Sequence, residues 1–598
     1  MGPSQGQVMP IQAVRRTRWW YAFLLVVAGV FLIRLFYLQV IRYSYYHHTA
    51  LSDQLKEYQI SAERGTISAH EGDGTIPVVL NEKLYTVYAD PTLIKISERQ
   101  RIADAVVAVI GGNASAYVKQ FGTTGSRYQI LGERVSAANK DKLLGYKFSG
   151  VGAQEQDYRT YPQGDLAAQV LGFVSNDGNG EYGVEQALNK KLAGAPGQLK
   201  AVTDINGVPL AANTGNILTQ PTQGSNITLT LDAGMQRQLQ QVLAQQVPAT
   251  KASSGSALIM DPNTGAIKAM ANYPSYNPAN YSDVTDPSVF TNAAVAAPIE
   301  PGSVMKTLTT SAALDQGVIQ PSETYYDPAH WTIDNFTITN IEEDGGPGVK
   351  SLENILNLSL NTGATWMLMQ MSQPGATQAS QINQKGREAW YNYMTNHFQF
   401  GKDTGIEQGY ESSGTVPDPN TADGGYGPAL DLTYANTSFG QGMTATPLQM
   451  GAALSSVLNG GTYYKPYLVD SVTDASGQTT VTRPAVVKTN VVKPTIAPTI
   501  ESLMEGVVAG HFLHFPSQYN VGGKTGTAQV AKPGGGYYDN EFNGTYVGFV
   551  GGNNPQYVIV VDVIQPHIGT YAGTGAAQPI FVSLANMLLN DFNVTPKT

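Results

Sequence analysis

Two hairpin patterns lie far apart in this chain, and they require a sheet assembled from both ends of one domain. In the first, Ser256–Met260 is followed by the turn Asp261-Pro262-Asn263-Thr264-Gly265 and then by Ala266–Asn272. In the second, Tyr546–Val550 and Tyr557–Ile564 flank Gly551-Gly552-Asn553-Asn554-Pro555. An amphipathic helix is expected from about Gln578, apolar at Phe581, Leu584 and Leu588. The long stretch between the hairpins reads as mainly helical. The fold class is therefore α/β (α+β), with a central antiparallel sheet flanked by helices. Just ahead, Ile227–Leu231 alternates like a strand, and Asp232 is placed to cap a helix to about Val247.

The amino-terminal region obeys a different constraint. Arg15, Arg16 and Arg18 precede a mainly apolar run, Trp19–Ile33, which Arg34 interrupts and Leu35–Val40 continue. At ~1.5 Å per residue the run covers about 33 Å, enough for a hydrocarbon core of roughly 30 Å. A short cytoplasmic tail, residues 1–18, and one transmembrane helix, residues 19–40, are expected. Arg34 could snorkel or face a partner helix, with Trp19, Trp20, Tyr21 and Tyr43, Tyr45, Tyr46 near the two interfaces. The sequence after the run, Ile41-Arg42-Tyr43-Ser44-Tyr45-Tyr46, holds no small-x-small cleavage site, so a retained anchor is expected. No other stretch approaches spanning length, and the chain beyond about residue 43 is expected to form one extracytoplasmic body.

A chain of 598 residues exceeds what one hydrophobic core organises. Apolar content of 42% and charged content of 14% describe globular material. A net charge of −10, with no basic run beyond the membrane flank, excludes nucleic acid as a partner. Cysteine is absent, which excludes disulfides and thiolate metal sites. Residues 43–225 mix polar turns with short strand patterns, such as Tyr85–Tyr88 and Gln169–Val174, and lack a catalytic cluster. They are read as one domain and residues 226–598 as a second. Low complexity is limited to turns such as Gly534-Gly535-Gly536.

Three short segments carry chemistry. Pro301-Gly302 marks a turn into a helix, placing Ser303 in its first turn and Lys306 one turn later on the same face. A serine hydroxyl needs an adjacent base, and lysine is one only when burial or another cation lowers its pKa. Alone, Ser-x-x-Lys is a common exposed helix face. Ser359-Leu360-Asn361 is also unremarkable in isolation. Gly522-Gly523-Lys524-Thr525-Gly526-Thr527 could be a surface turn or a phosphate loop, but Gln518 stands where a Walker loop needs glycine. Order decides: Ser-x-x-Lys, then Ser-x-Asn, then Lys-Thr-Gly-Thr ahead of a terminal hairpin and helix is the penicilloyl-serine transferase set.

The chain thereby resembles the class B penicillin-binding proteins, monofunctional peptidoglycan D,D-transpeptidases. Other phrases similar to the family are Asn226–Asp232, Asp261–Gly265, Tyr273–Pro278, Ser438–Gly442, Thr446–Gln449 and Asn459–Gly461. Arg159–Gly164 and Gly180–Glu185 fit its membrane-proximal pedestal, whereas the opening Arg64–Gly74 departs from the family's usual phrase. The resemblance implies an elongated α+β pedestal of the dimerisation type and a serine β-lactamase-like transpeptidase domain. It implies that Ser303 attacks the D-Ala-D-Ala amide of a stem peptide, releasing D-Ala, with Lys306 as base. Ser359 would relay a proton to the leaving amine, and Asn361 would hold Lys306 and the substrate amide. Lys524, Thr525, Gly526 and Thr527 would bind substrate, with the terminal carboxylate on Lys524 and the two threonines. The backbone N–H groups of Ser303 and Thr527 would form the oxyanion hole. No cofactor or metal is implied; β-lactams are, as inhibitors. The implied partner is a polytopic membrane glycosyltransferase, since no glycan-polymerising domain is recognised in the sequence. The division (septal) subclass is favoured over elongation.

Rival readings share parts of this pattern. A D,D-carboxypeptidase or β-lactamase would hydrolyse the acyl-enzyme, and a β-lactam sensor would only form it. Gly178-Asn179-Gly180-Glu181-Tyr182-Gly183, with Asp204 beyond, imitates a dinucleotide fingerprint, but its first glycine is not at the strand end and no parallel βαβ series follows. His511 and His514 form a histidine pair that lacks a companion carboxylate pattern for a metal.

Overall fold

The computed structural model describes residues 11–46, 49, 55–202, 217–340, 346–420, 430–532 and 536–598. Gly534, Gly535, Asp204 and the first ten residues of the expected tail lie outside the described residues. The chain divides into two units, residues 1–62 with 194–222, and residues 63–193 with 223–598.

In the first unit the apolar run forms a helix, Ile11–Phe36, continued by one π-helical turn, Tyr37–Ile41. Arg16–Ile41 is the one helix among the described residues long and apolar enough to cross a membrane. Its large side chains, including Trp19, Leu25 and Ile33, point into open space. At its end the Arg34 guanidinium lies 5.6 Å from the centre of the Tyr37 ring, and Arg42 Nε donates to the Tyr37 hydroxyl at 2.9 Å. Leu55–Ile60, Gly197–Val202 and Ile217–Thr219 complete this unit as a three-stranded antiparallel sheet.

The second unit holds two main sheets. In the first, Val469–Thr473 pairs with Asn226–Asp232, which lies parallel to Ile67–Glu71; the long strand Gly74–Ala89 follows, paired with both Gln129–Val135 and Val151–Thr160. Asn226–Asp232, read in the sequence as the opening of the second domain, is thus hydrogen-bonded into the sheet of the preceding residues. Tyr85–Tyr88 lies in a strand as expected. Gln169–Val174 corrects its expectation: Ala168–Leu171 is one helical turn, and only Phe173–Val174 is strand. The apolar residues there are buried on every side, so alternation cannot register, and Gln169 Nε2 donates to the Pro274 and Val289 carbonyls. Phe173–Val174 pairs antiparallel with Gly180–Glu181, making the glycine-rich segment a tight hairpin.

The second sheet realises the layout expected from the two hairpins. Its order is Ile267–Tyr273, Ser254–Met260, Pro555–Ile564, Tyr537–Gly551, Asn520–Ala531, antiparallel throughout. One face packs on the helix Ala233–Ala249, through Met235, Leu239, Leu243 and Val247, and on the helix Gln578–Asp591, through Phe581, Leu584 and Leu588. Asp232 caps the first of these, accepting from Met235 N at 2.8 Å. The other face covers the helices Met305–Gln316, Asn361–Ser372 and Pro447–Leu458, whose apolar sides merge in one core. Two short antiparallel strand pairs, Thr324–Asp327 with Gly348–Ser351 and, between them in the chain, the hairpin His330–Ile333 with Phe336–Thr339, interrupt the otherwise helical insertion.

Candidate active site

Ser303 lies in a 3₁₀ turn, Gly302–Val304, that runs straight into the helix Met305–Gln316. Gly302 makes that entry possible. Its φ is +63°, its N–H donates to the Gly440 carbonyl at 3.0 Å, and a Cβ there would meet Thr527 O at 3.0 Å. The nucleophile loop is thereby pressed against the Lys524 strand.

Helical periodicity brings Lys306 beneath Ser303, with Nζ 2.8 Å from Ser303 Oγ. The same nitrogen lies 2.6 Å from the Ser359 carbonyl oxygen and 2.8 Å from Asn361 Oδ1. Lys306 is fully buried, and burial, helped by the charge of Lys524, pushes its pKa well below the ordinary lysine range. A neutral amine has two N–H donors and one lone pair. The Ser359 carbonyl and Asn361 Oδ1 take the donors, which leaves the lone pair for the Ser303 O–H. That is the arrangement of a general base.

Ser359 joins the helices Leu352–Asn357 and Asn361–Ser372 with a left-handed backbone, φ +56°. This turn directs its carbonyl oxygen at Lys306 and its hydroxyl between the two lysines, 3.2 Å from Lys306 Nζ and 3.1 Å from Lys524 Nζ. Asn361 Nδ2 donates to Thr339 O at 3.0 Å, which orients the amide oxygen toward Lys306. Thr362 is locked behind it by the buried Asp327 and by Asn340.

Lys524 is buried in the edge strand Asn520–Ala531, and its Nζ also donates to the Thr525 carbonyl at 3.0 Å. Burial lowers it to about 7. Thr525 and Thr527 line the cleft with Ser303, Ser359 and Asn361, around a volume of about 530 Å³. Thr527 Oγ1 accepts from Gly573 N at 2.9 Å. Gly526 does not line the cleft: a Cβ there would run into Thr545 Oγ1 and the Pro301 carbonyl, so its bareness lets the strand close on the nucleophile loop. Among the described residues the strand pairs on one side only, with Tyr537–Gly551. Its other edge is open to an extended peptide.

Of the residues singled out in the sequence, Ser303, Lys306, Ser359, Asn361, Lys524, Thr525 and Thr527 come together around the cleft, and Gly526 stands behind it. The structure adds cleft residues that sequence reasoning passed over: Phe439, Gln441, Gln529, Phe542, Tyr571 and Thr574, with Asn357 and Gly510. Phe439 and Gln441 sit in the phrase Ser438–Gly442, whose likeness to the family was the available signal. His511, weighed in the sequence only as half of a metal pair, lines this cleft and lies 3.1 Å from Gln578 Oε1 through Nδ1.

Residues 255–586 match the family described as "Penicillin binding protein transpeptidase domain", and residues 59–229 match "Penicillin-binding Protein dimerisation domain". Stage V sporulation protein D of Bacillus subtilis strain 168 is 28% identical over 578 residues, covering 95% of this chain and 85% of the relative. Peptidoglycan D,D-transpeptidase FtsI of Escherichia coli K12 is 26% identical over 554 residues, covering 91% and 86%. The crystal structure of penicillin binding protein 2X from Streptococcus thermophilus superposes with a TM-score of 0.68 at 24% identity, covering 89% of this chain and 80% of that one, and so shares the fold.

Proposed function

Because the chain belongs to the penicillin-binding protein transpeptidase family, we propose that it is a serine-type peptidoglycan D,D-transpeptidase that cross-links stem peptides through an acyl-enzyme. The observation that carries this reading is the buried Lys306 Nζ, held 2.8 Å from Ser303 Oγ with its two N–H groups directed at the Ser359 carbonyl and Asn361 Oδ1. Lys306 takes the Ser303 proton as Oγ attacks the penultimate D-Ala carbonyl carbon. The Ser303 and Thr527 N–H groups receive the oxyanion. The proton then passes through the Ser359 hydroxyl to the departing nitrogen, the C–N bond breaks, and D-Ala leaves. An amine of a neighbouring stem attacks the ester and returns its proton along the same path. Lys524, Thr525 and Thr527 hold the donor's terminal carboxylate, Asn361 orients Lys306, and the donor lies along the open edge of the Lys524 strand. A β-lactam enters by the same route and stays on Ser303.

The helix Arg16–Ile41 supports anchoring by a single span in the cell membrane, with the catalytic body outside the cytoplasm. The domain reading is a tail over residues 1–18, an anchor over 19–40, a pedestal over 43–225 and a transpeptidase domain over 226–598. A role in septal synthesis, beside a polytopic membrane glycosyltransferase, completes the proposal; likeness to FtsI supports the septal part.

A donor pentapeptide tests the reaction. With an amine acceptor present, the purified protein should release D-Ala and form acceptor-linked product. D-Ala release that is indifferent to acceptor, with only hydrolysed donor recovered, would make the protein a carboxypeptidase instead.

A further inference from the structure

Three positions ahead of the nucleophile, the Glu300 carboxylate ties the two walls of the cleft together. One wall carries Phe439 and Gln441 and continues directly into Gly442; the other is the Lys524 strand, whose hairpin partner begins at Tyr537. Glu300 Oε1 accepts from both the Gly442 N–H and the Tyr537 hydroxyl, each at 2.9 Å. Tyr537 stands opposite Ala531, so this second arm grips the strand at the end remote from Lys524. Among the described residues Glu300 Oε2 is buried without a hydrogen-bond partner, and burial pushes the carboxyl up from its ordinary value. Burying a carboxyl with one oxygen unpaired costs stability. The fold carries that cost where the nucleophile loop and both cleft walls meet. Glu300 itself is not among the residues lining the cleft, so its influence on substrate passes through its two partners.

We infer that Glu300 is a positioning residue: it fixes the separation of the Gln441 wall from the Lys524 strand, and hence the affinity of the cleft for an extended acyl donor. The inference rests on the acyl-serine reading of the cleft. Breaking the tie lets the walls part, which weakens binding before acylation but leaves the Ser303–Lys306 pair in place.

Benzylpenicillin acylation of the full-length protein in detergent, resolved into a dissociation constant K and an acylation rate k2, tests this. Glu300→Ala should raise K about tenfold and hold k2 within about threefold, as expected for two lost hydrogen bonds. Glu300→Gln, which keeps a carbonyl acceptor for both donors, should return K to within about threefold of the parent. Tyr537→Phe removes one arm and should raise K about threefold. Should Glu300→Ala fail to fold, Glu300→Gln and Tyr537→Phe carry the test. Unchanged K in Glu300→Ala and Tyr537→Phe would overturn the inference, as would a loss confined to k2. A parent protein that takes no acyl group would instead overturn the reading of the cleft, and the inference with it.

Discussion

Lys306 and Lys524 meet across one hydroxyl: Ser359 Oγ lies 3.2 Å from Lys306 Nζ and 3.1 Å from Lys524 Nζ. The two side chains are equally buried yet differently partnered. Lys306 reaches the nucleophile, whereas Lys524 reaches only Ser359 and its own neighbour Thr525. Arginine should therefore be tolerated unequally at the two positions. Lys306→Arg should abolish acylation in a folded protein, because a guanidinium does not lose its proton. Lys524→Arg should keep measurable acylation, since the charge survives with altered geometry. Fluorescent-penicillin labelling beside a melting curve reads both variants, and equal loss with folding intact would contradict the separate roles.

Acylation should follow a bell-shaped pH profile whose limbs belong to these two groups. On the acid side, protonating Lys306 removes the base, and burial moves that limb well below the ordinary lysine range. On the alkaline side, Lys524 loses its proton above about 7 and with it the charge that holds a carboxylate. Above that pH, K for benzylpenicillin should rise by up to about tenfold per pH unit. In Lys524→Arg the alkaline limb should vanish, which a pH series of K and k2 will check.

Asp562 should make the fold sensitive to pH independently of chemistry. It sits in the strand Pro555–Ile564, buried, with Oδ1 unpartnered among the described residues, and burial pushes its carboxyl up to about 8. Below an unfolded value of about 4 it is protonated in both states and contributes no pH dependence. From about 4 to 8 only the native state retains the proton, so stability falls as pH rises; above 8 the effect levels off. Asp562→Asn should remove this slope. The melting-temperature gap between the variant and the parent should widen by several degrees from pH 5 to 8 and then stay constant. A gap independent of pH would rule the buried acid out.

What could be read from the sequence was local. The strands of both hairpins, the Asp232 cap and the Ser303–Lys306 turn are written in alternation, in a capping residue and in helical spacing, each visible within a short window. The pairing of Asn226–Asp232 with Ile67–Glu71 is not local, and no pattern announces it. Ser359 was legible as a motif member but not as a left-handed residue, because nothing in Ser-Leu-Asn marks the φ of +56° that aims its carbonyl at Lys306. Glu300 was invisible for a related reason: its partners Gly442 and Tyr537 stand 142 and 237 positions away. Gln169–Leu171 misled because a fully buried helical turn shows the same apolar run as a buried strand.

The span should act as more than a tether. Arg34 and Gln39 are polar groups within it, costly in lipid by about 2.5–3.5 kcal/mol for a central arginine. If a glycosyltransferase helix receives either group, Arg34→Leu or Gln39→Leu should weaken co-purification in detergent and leave the acylation rate unchanged. Full complex formation after replacing residues 19–40 with an unrelated span would reduce the segment to an anchor.

The central claim is that Ser303, activated by Lys306, is the acylated residue. Intact-mass spectrometry after benzylpenicillin treatment, followed by peptide mapping, tests it directly. The account predicts one penicilloyl adduct per chain, on the peptide containing Ser303, and none in Ser303→Ala. An adduct mapped to any other peptide, or full labelling of Ser303→Ala, would contradict it.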